Sequence, residues 1–122
     1  MKKIFTTLFL IISFSANALE KKTTFDNELF QKAQSEGKVV VVSSWIKYCY
    51  SCASQMKVLK EAKKDFDNIE YFAFDVTNRD IANSFDVLYQ TTLLIFKGDE
   101  EVYRSIGETT EDLIYEALKA SI

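Results

Sequence analysis

The sequence predicts an α/β domain with one mixed β-sheet and helices on both of its faces. Three observations carry this. Val39-Val40-Val41-Val42 is a run of four β-branched residues without polar alternation, the pattern of a strand buried on both faces as in parallel pairing. Helical and extended periodicities alternate along the first half, which calls for parallel strands joined by right-handed crossovers. Lys97-Gly98-Asp99-Glu100 is a tight turn between two strand-like runs, so the second half ends in an antiparallel hairpin.

The first 18 residues stand apart. Met1-Lys2-Lys3 is basic, Ile4 to Phe14 is mostly apolar, and Ala16-Asn17-Ala18 is a small-x-small cleavage pattern, together the layout of a secretory signal peptide. The apolar run is short against the ~20 residues a spanning helix needs, and Ser13 and Ser15 interrupt it. The expectation is cleavage after Ala18, leaving a mature domain over 19–122 that does not span a membrane. Losing Lys2 and Lys3 takes two from the 15 basic residues against 18 acidic ones, so nucleic acid is not an expected partner.

Within 19–122, Phe25, Leu29, Phe30 and Ala33 recur at helical spacing, with Asp26 as N-cap and Gly37 as the terminating glycine. The valine strand follows. Trp45 to Ser51 is expected to be a loop, and a second helix runs from Cys52 with Ala53, Met56, Leu59, Ala62 and Phe66 on one face. Ile69 to Val76 is strand-like. Asn78 is suited to cap a short helix ending at Phe85. Leu93 to Phe96 and Val102 to Ile106 are the hairpin strands, and Gly107 breaks the second. Thr109-x-x-Asp112 has the form of a capping box before a last helix bearing Leu113, Ile114, Ala117 and Leu118.

The chemistry concentrates in Cys49 and Cys52, the only cysteines of the chain, placed where a buried strand gives way to a helix. Free N–H groups and the helix dipole at such a point stabilise a thiolate, so the first cysteine is expected to ionise more readily than a free thiol. Lys47 is nearby, but an exposed lysine is screened by water. Cys49 is then suited to attack a disulfide in another molecule and Cys52, one turn on, to resolve the mixed disulfide.

Other readings of the pair exist. Export permits disulfides, so an inert bridge is one alternative, although so small a loop restrains the unfolded chain little. Cu(I) capture by Cys49, Cys52 and Met56 is another. A four-ligand zinc site cannot be assembled from N and S donors in a chain with two Cys and no His, and no metal or cofactor is expected. Trp45, Tyr48 and Tyr50 beside a reactive thiol form a surface for docking protein substrates, with simple packing as the alternative for Trp45 and Tyr48.

The residues Val39 to Trp45, Cys49-Tyr50-Ser51-Cys52, Thr92-Leu-Leu-Ile-Phe96-Lys97-Gly98 and Gly107 resemble the thioredoxin superfamily, from about Phe25 to the C-terminus and so over nearly the whole mature chain. The approach FDNELFQKAQSEGKVVVVSSW is similar in particular to the C-terminal thioredoxin domain of bacterial thiol:disulfide interchange proteins, which carry reducing equivalents to periplasmic substrates. The resemblance implies a thioredoxin-like fold and a periplasmic thiol–disulfide oxidoreductase. Its partners would be protein thiols and disulfides and a membrane or periplasmic redox protein, working in the reducing direction. A disulfide oxidase or isomerase, or a binding module without turnover, are the alternatives. The family's cis-proline position, which faces substrate, holds Thr91; its buried acid is replaced by Ser43, that acid's lysine partner by Tyr71, and the dipeptide between the cysteines is Tyr50-Ser51.

Overall fold

The computed structural model describes residues 22–122; the expected signal peptide lies outside the described residues. Four helices and four strands follow in the order α1 (Asn27–Ser35), β1 (Val39–Trp45), α2 (Tyr50–Asp65), β2 (Ile69–Asp75), α3 (Arg79–Ser84), β3 (Thr92–Lys97), β4 (Glu100–Ile106) and α4 (Glu111–Ser121). The sheet order is β2-β1-β3-β4. β1 pairs parallel with β2, Val39 opposite Ile69, and antiparallel with β3, Val39 opposite Lys97. The hairpin β3–β4 completes a mixed sheet. The valine run is thus an inner strand, and every residue of β1 is buried.

Because side chains alternate across a strand, β1 supplies two cores at once. Val40 and Val42 join Phe30, Phe72, Phe74, Phe85, Leu94 and Phe96 on one face. Val39 and Val41 join Leu59, Ala62, Tyr71, Leu93, Ile95, Ile114 and Leu118 on the other. The first core is a cluster of phenylalanines, with edge-on ring pairs such as Phe30–Phe85 at 5.2 Å and Phe25–Phe85 at 5.1 Å between centroids, a geometry that adds to the burial of their area.

Local signals place several of the element ends. The Asp26 carboxylate accepts the Leu29 N–H at 3.0 Å and caps α1. Gly37, at φ +75°, ends it, with Gly37 N–H bonded to Gln34 O and Lys38 N–H to Ala33 O, the paired bonds of a Schellman turn. Asn78 caps α3 through the Ile81 N–H. Ahead of α1, Thr23 and Thr24 lie along the outer edge of β2, where Thr24 N–H reaches Ala73 O and the two threonine hydroxyls accept from Ala73 and Asp75. That strap covers an edge that would otherwise offer free backbone groups.

Three local expectations are corrected. Trp45 is the last residue of β1 and not part of a loop, because it pairs with Asp75 and its carbonyl accepts the Val76 N–H. α2 begins at Tyr50, so both inter-cysteine residues are helical and Cys49 is the N-cap. The Thr109-x-x-Asp112 box does not form: Thr110 is the N-cap of α4, without a side-chain cap bond, and its N–H is taken by Glu108 Oε2 at 2.9 Å. That bond draws the Glu108 carboxyl below its ordinary pKa.

Candidate redox site

Cys49 and Cys52 form a disulfide across the first turn of α2, with a Cα separation of 5.3 Å. Cys49 Sγ accepts the Cys52 N–H at 3.1 Å, so the outer sulfur occupies the cap of the helix itself. This is the place where unpaired N–H groups and the dipole favour negative charge. The two sulfurs are not equivalent. Cys49 is 8% exposed and Cys52 1% exposed, so an incoming sulfur meets Cys49 first.

Trp45, Met56 and Ala73 pack with the pair from β1, α2 and β2. Trp45 is buried, and its indole N–H donates to Lys22 O at 3.1 Å, tying the segment ahead of α1 to the floor of the site. Tyr48 and Tyr50 flank Cys49 and point away from the body, at 97% and 87% exposure. Tyr48 has a φ of +59°, an uncommon conformation for a bulky residue. The structure therefore separates the predicted site residues into an exposed pair, Tyr48 and Tyr50, and a buried pair, Trp45 and Thr91.

Thr91 stands against the sulfurs from the turn before β3. Its peptide bond is trans, since no described bond is cis, and its φ is +61°. Its backbone is fully engaged. The N–H donates to Ser44 O at 2.9 Å, and the carbonyl accepts the Gly107 N–H at 2.8 Å and the Gln55 amide at 3.4 Å. No backbone group of Thr91 is left to pair with a substrate chain. Its side chain faces the disulfide: Oγ1 lies 3.1 Å from Cys52 Sγ, 3.5 Å from Cys49 Sγ and 2.8 Å from Ser51 Oγ.

Three residues around Thr91 were not singled out from the sequence. Ser51 lies between the two cysteines, and its hydroxyl reaches Thr91. Ser44 accepts the Thr92 N–H and donates to Tyr89 O. Gln55, on the buried side of α2, bridges Thr91 O and Glu108 O, the latter at 2.9 Å. A buried glutamine on an otherwise apolar helix stripe is the signal that could have pointed to it.

Ser43 lies on the α2-facing side of β1, two residues from Trp45, with a buried hydroxyl that has no hydrogen-bond partner. Tyr71 shares that side of the sheet, packed in the apolar core, and its hydroxyl is likewise unpartnered. Burial above all, then the Tyr115 and Asp65 charges, pushes the Tyr71 phenol well above its ordinary value. Neither residue supplies an acid or a base at neutral pH.

Comparison with known proteins agrees with this geometry. The chain matches the thioredoxin family over residues 17–120. It is 30% identical over 90 residues to a Thioredoxin H-type of Fagopyrum esculentum, spanning 73% of this chain and 78% of that protein. It is 27% identical over 79 residues to Thioredoxin-1 of Saccharomyces cerevisiae, spanning 64% and 77%. Among solved structures, Trxlp of Edwardsiella tarda superposes with a TM-score of 0.71 at 25% identity, covering 75% of this chain and 92% of that one. The thioredoxin NaTrxh of Nicotiana alata gives 0.71 at 22% identity, covering 78% and 83%. A disulfide whose first cysteine caps the helix that follows an inner strand, within a domain matched almost throughout, means that this chain belongs to the thioredoxin family and is a protein-disulfide oxidoreductase working through Cys49 and Cys52.

Proposed function

We propose that this oxidoreductase is exported and works in the periplasm as a reductant of protein disulfides, recharged by a membrane or periplasmic redox partner. The observation that carries the exchange step is the asymmetry of the pair: Cys49 caps α2 and is the more exposed sulfur, and Cys52 is buried behind it. Export is supported by the basic, apolar and small-residue order of the first 18 residues. The reducing direction is supported by the likeness of the α1–β1 segment to thiol:disulfide interchange domains.

In the reduced protein, Cys49 Sγ is the nucleophile. As a thiolate it attacks one sulfur of a substrate disulfide; a Cys49–substrate bond forms and the first substrate thiolate leaves. Cys52 then gives up its proton and attacks Cys49 Sγ, the intramolecular disulfide forms, and the second substrate thiolate departs. Two electrons pass to the substrate, and each of its sulfurs ends with a proton. Tyr48 and Tyr50 offer apolar faces with hydroxyl tips to the chain around the substrate disulfide, while Trp45 and Thr91 shape the floor beneath the sulfurs.

The equilibrium reduction potential tests the direction. A value near the roughly −270 mV of thioredoxin is expected, and one near about −120 mV would make the protein an oxidant instead. A Cys52→Ala variant should accumulate periplasmic proteins disulfide-linked to Cys49; a variant that traps none would overturn the assignment of the two sulfurs. Mature protein recovered from the periplasm should begin at Leu19.

A further inference from the structure

Exchange requires the buried Cys52 thiol to lose a proton, and among the described residues no carboxylate is hydrogen-bonded to its sulfur. Cys52 sits in an apolar cluster with Trp45, Cys49, Met56 and Ala73, against which Ile46 packs, and Thr91 joins it with a hydroxyl. Among these only Cys49 titrates besides Cys52 itself. Ser43 and Tyr71, on the same side of the sheet, are neutral hydroxyls. Gln55, the polar neighbour on α2, is an amide turned to Thr91 O and Glu108 O.

What does reach Cys52 is a line of hydroxyls. Cys52 Sγ is 3.1 Å from Thr91 Oγ1, which is 2.8 Å from Ser51 Oγ on half-buried Ser51. In the disulfide form the sulfurs carry no proton, so any hydrogen bond between Thr91 and Cys52 is donated by the hydroxyl. Thr91 is also held at a cost. A β-branched residue at φ +61° is strained, and such strain persists only where surrounding bonds over-determine it. Ser44, Gly107 and Gln55 supply those bonds.

We propose that Thr91 is a catalytic residue of the exchange reaction, its hydroxyl bonded to the Cys52 sulfur and passing the Cys52 proton by way of Ser51 to solvent. During resolution the Cys52 S–H bond breaks as the Cys52–Cys49 bond forms and the substrate thiolate leaves. Thr91 takes the proton while giving its own to Ser51, which gives its own to water, so neither hydroxyl becomes charged. In the reverse direction an incoming thiolate bonds to Cys49 and expels Cys52 as a thiolate, to which Thr91 donates. The inference rests on Cys49 attacking and Cys52 resolving.

The test follows reduced full-length protein reacting with 5,5′-dithiobis(2-nitrobenzoate) by stopped flow. Attack by Cys49 releases a first equivalent of thionitrobenzoate and resolution by Cys52 a second. Thr91→Val should slow the second phase about tenfold, more than it slows the first, and move the second phase's pH midpoint up by about one unit. Thr91→Ser should restore both. Ser51→Ala should slow the second phase by a smaller factor. A wild-type second phase and pH profile in Thr91→Val, or a Thr91→Ser as slow as Thr91→Val, would overturn the role of the hydroxyl. An unchanged second phase in Ser51→Ala would overturn the outer half of the path. Cys52→Ala reports separately on the assignment of the sulfurs: it should release a single equivalent, through Cys49.

Discussion

Replacing Gln55 isolates the support beneath the site. Its amide donates to Glu108 O at 2.9 Å and more weakly to Thr91 O at 3.4 Å, and the residue is 1% exposed. Both partners are carbonyl oxygens, so only the NH2 end of the side chain can serve them. Gln55→Ala loses one good and one marginal hydrogen bond and leaves a small cavity, a cost of about 2–3 kcal/mol that does not vary with pH. Gln55→Glu keeps the shape but sets a carboxylate between two acceptors. Burial and the two carbonyls disfavour its charge, raising its folded-state pKa above the unfolded value. The variant then approaches wild type below the unfolded pKa and loses stability as pH rises through the folded one. A rise of about 2–3 units at ~1.4 kcal/mol each amounts to roughly 3–4 kcal/mol at neutral pH. Guanidinium unfolding of wild type and both variants, from about pH 4 to about pH 8, measures the difference directly. A Gln55→Glu penalty that is flat with pH, or no larger than about 0.5 kcal/mol, would refute the bridging role of the amide.

Tyr71→Phe should be neutral or stabilising by about 1 kcal/mol, since it deletes a buried hydroxyl without a partner. The wild-type phenol, ordinarily near 10.0, is raised by burial, so its share of stability is present below that pH and lost as pH rises; the Tyr71→Phe advantage, read by denaturant unfolding, should grow above about pH 10, and a shrinking advantage would contradict the burial argument. Tyr48→Ser and Tyr50→Ser should raise KM for a protein disulfide by about three- to tenfold, with the melting temperature and the rate toward a small aromatic disulfide unchanged, because both side chains are almost wholly exposed. Equal losses toward both substrates would mean the tyrosines act on the sulfurs and not on docking.

Much of this protein is legible in short stretches of its chain. Val39–Val42 announces a strand buried on both faces, Asp26 and Asn78 place two helix starts, and Gly37 ends a helix; each signal acts within four residues, where local sterics and hydrogen bonding decide. Cys49 and Cys52 are legible for the same reason, since their function depends on a spacing of three along one helical turn. Local reading failed where a distant partner intervened. Trp45 became strand because Asp75 and Val76 bind its backbone; the Thr109-x-x-Asp112 box failed for a local reason instead, since α4 takes Thr110 as its N-cap.

The tertiary fold alone decided the surroundings of the buried sulfur. Thr91 comes within 3.1 Å of Cys52 from 39 residues away, and Gln55 meets Glu108 across 53. Sequence comparison marked Thr91 and Ser43 as departures but could not say what either touches. Closing the sheet turned the first toward the sulfurs and left the second without a partner. The physical reason is range: helix caps and cysteine spacing are set by bonds to near neighbours, whereas a hydroxyl's partner is set by which segments the sheet brings together.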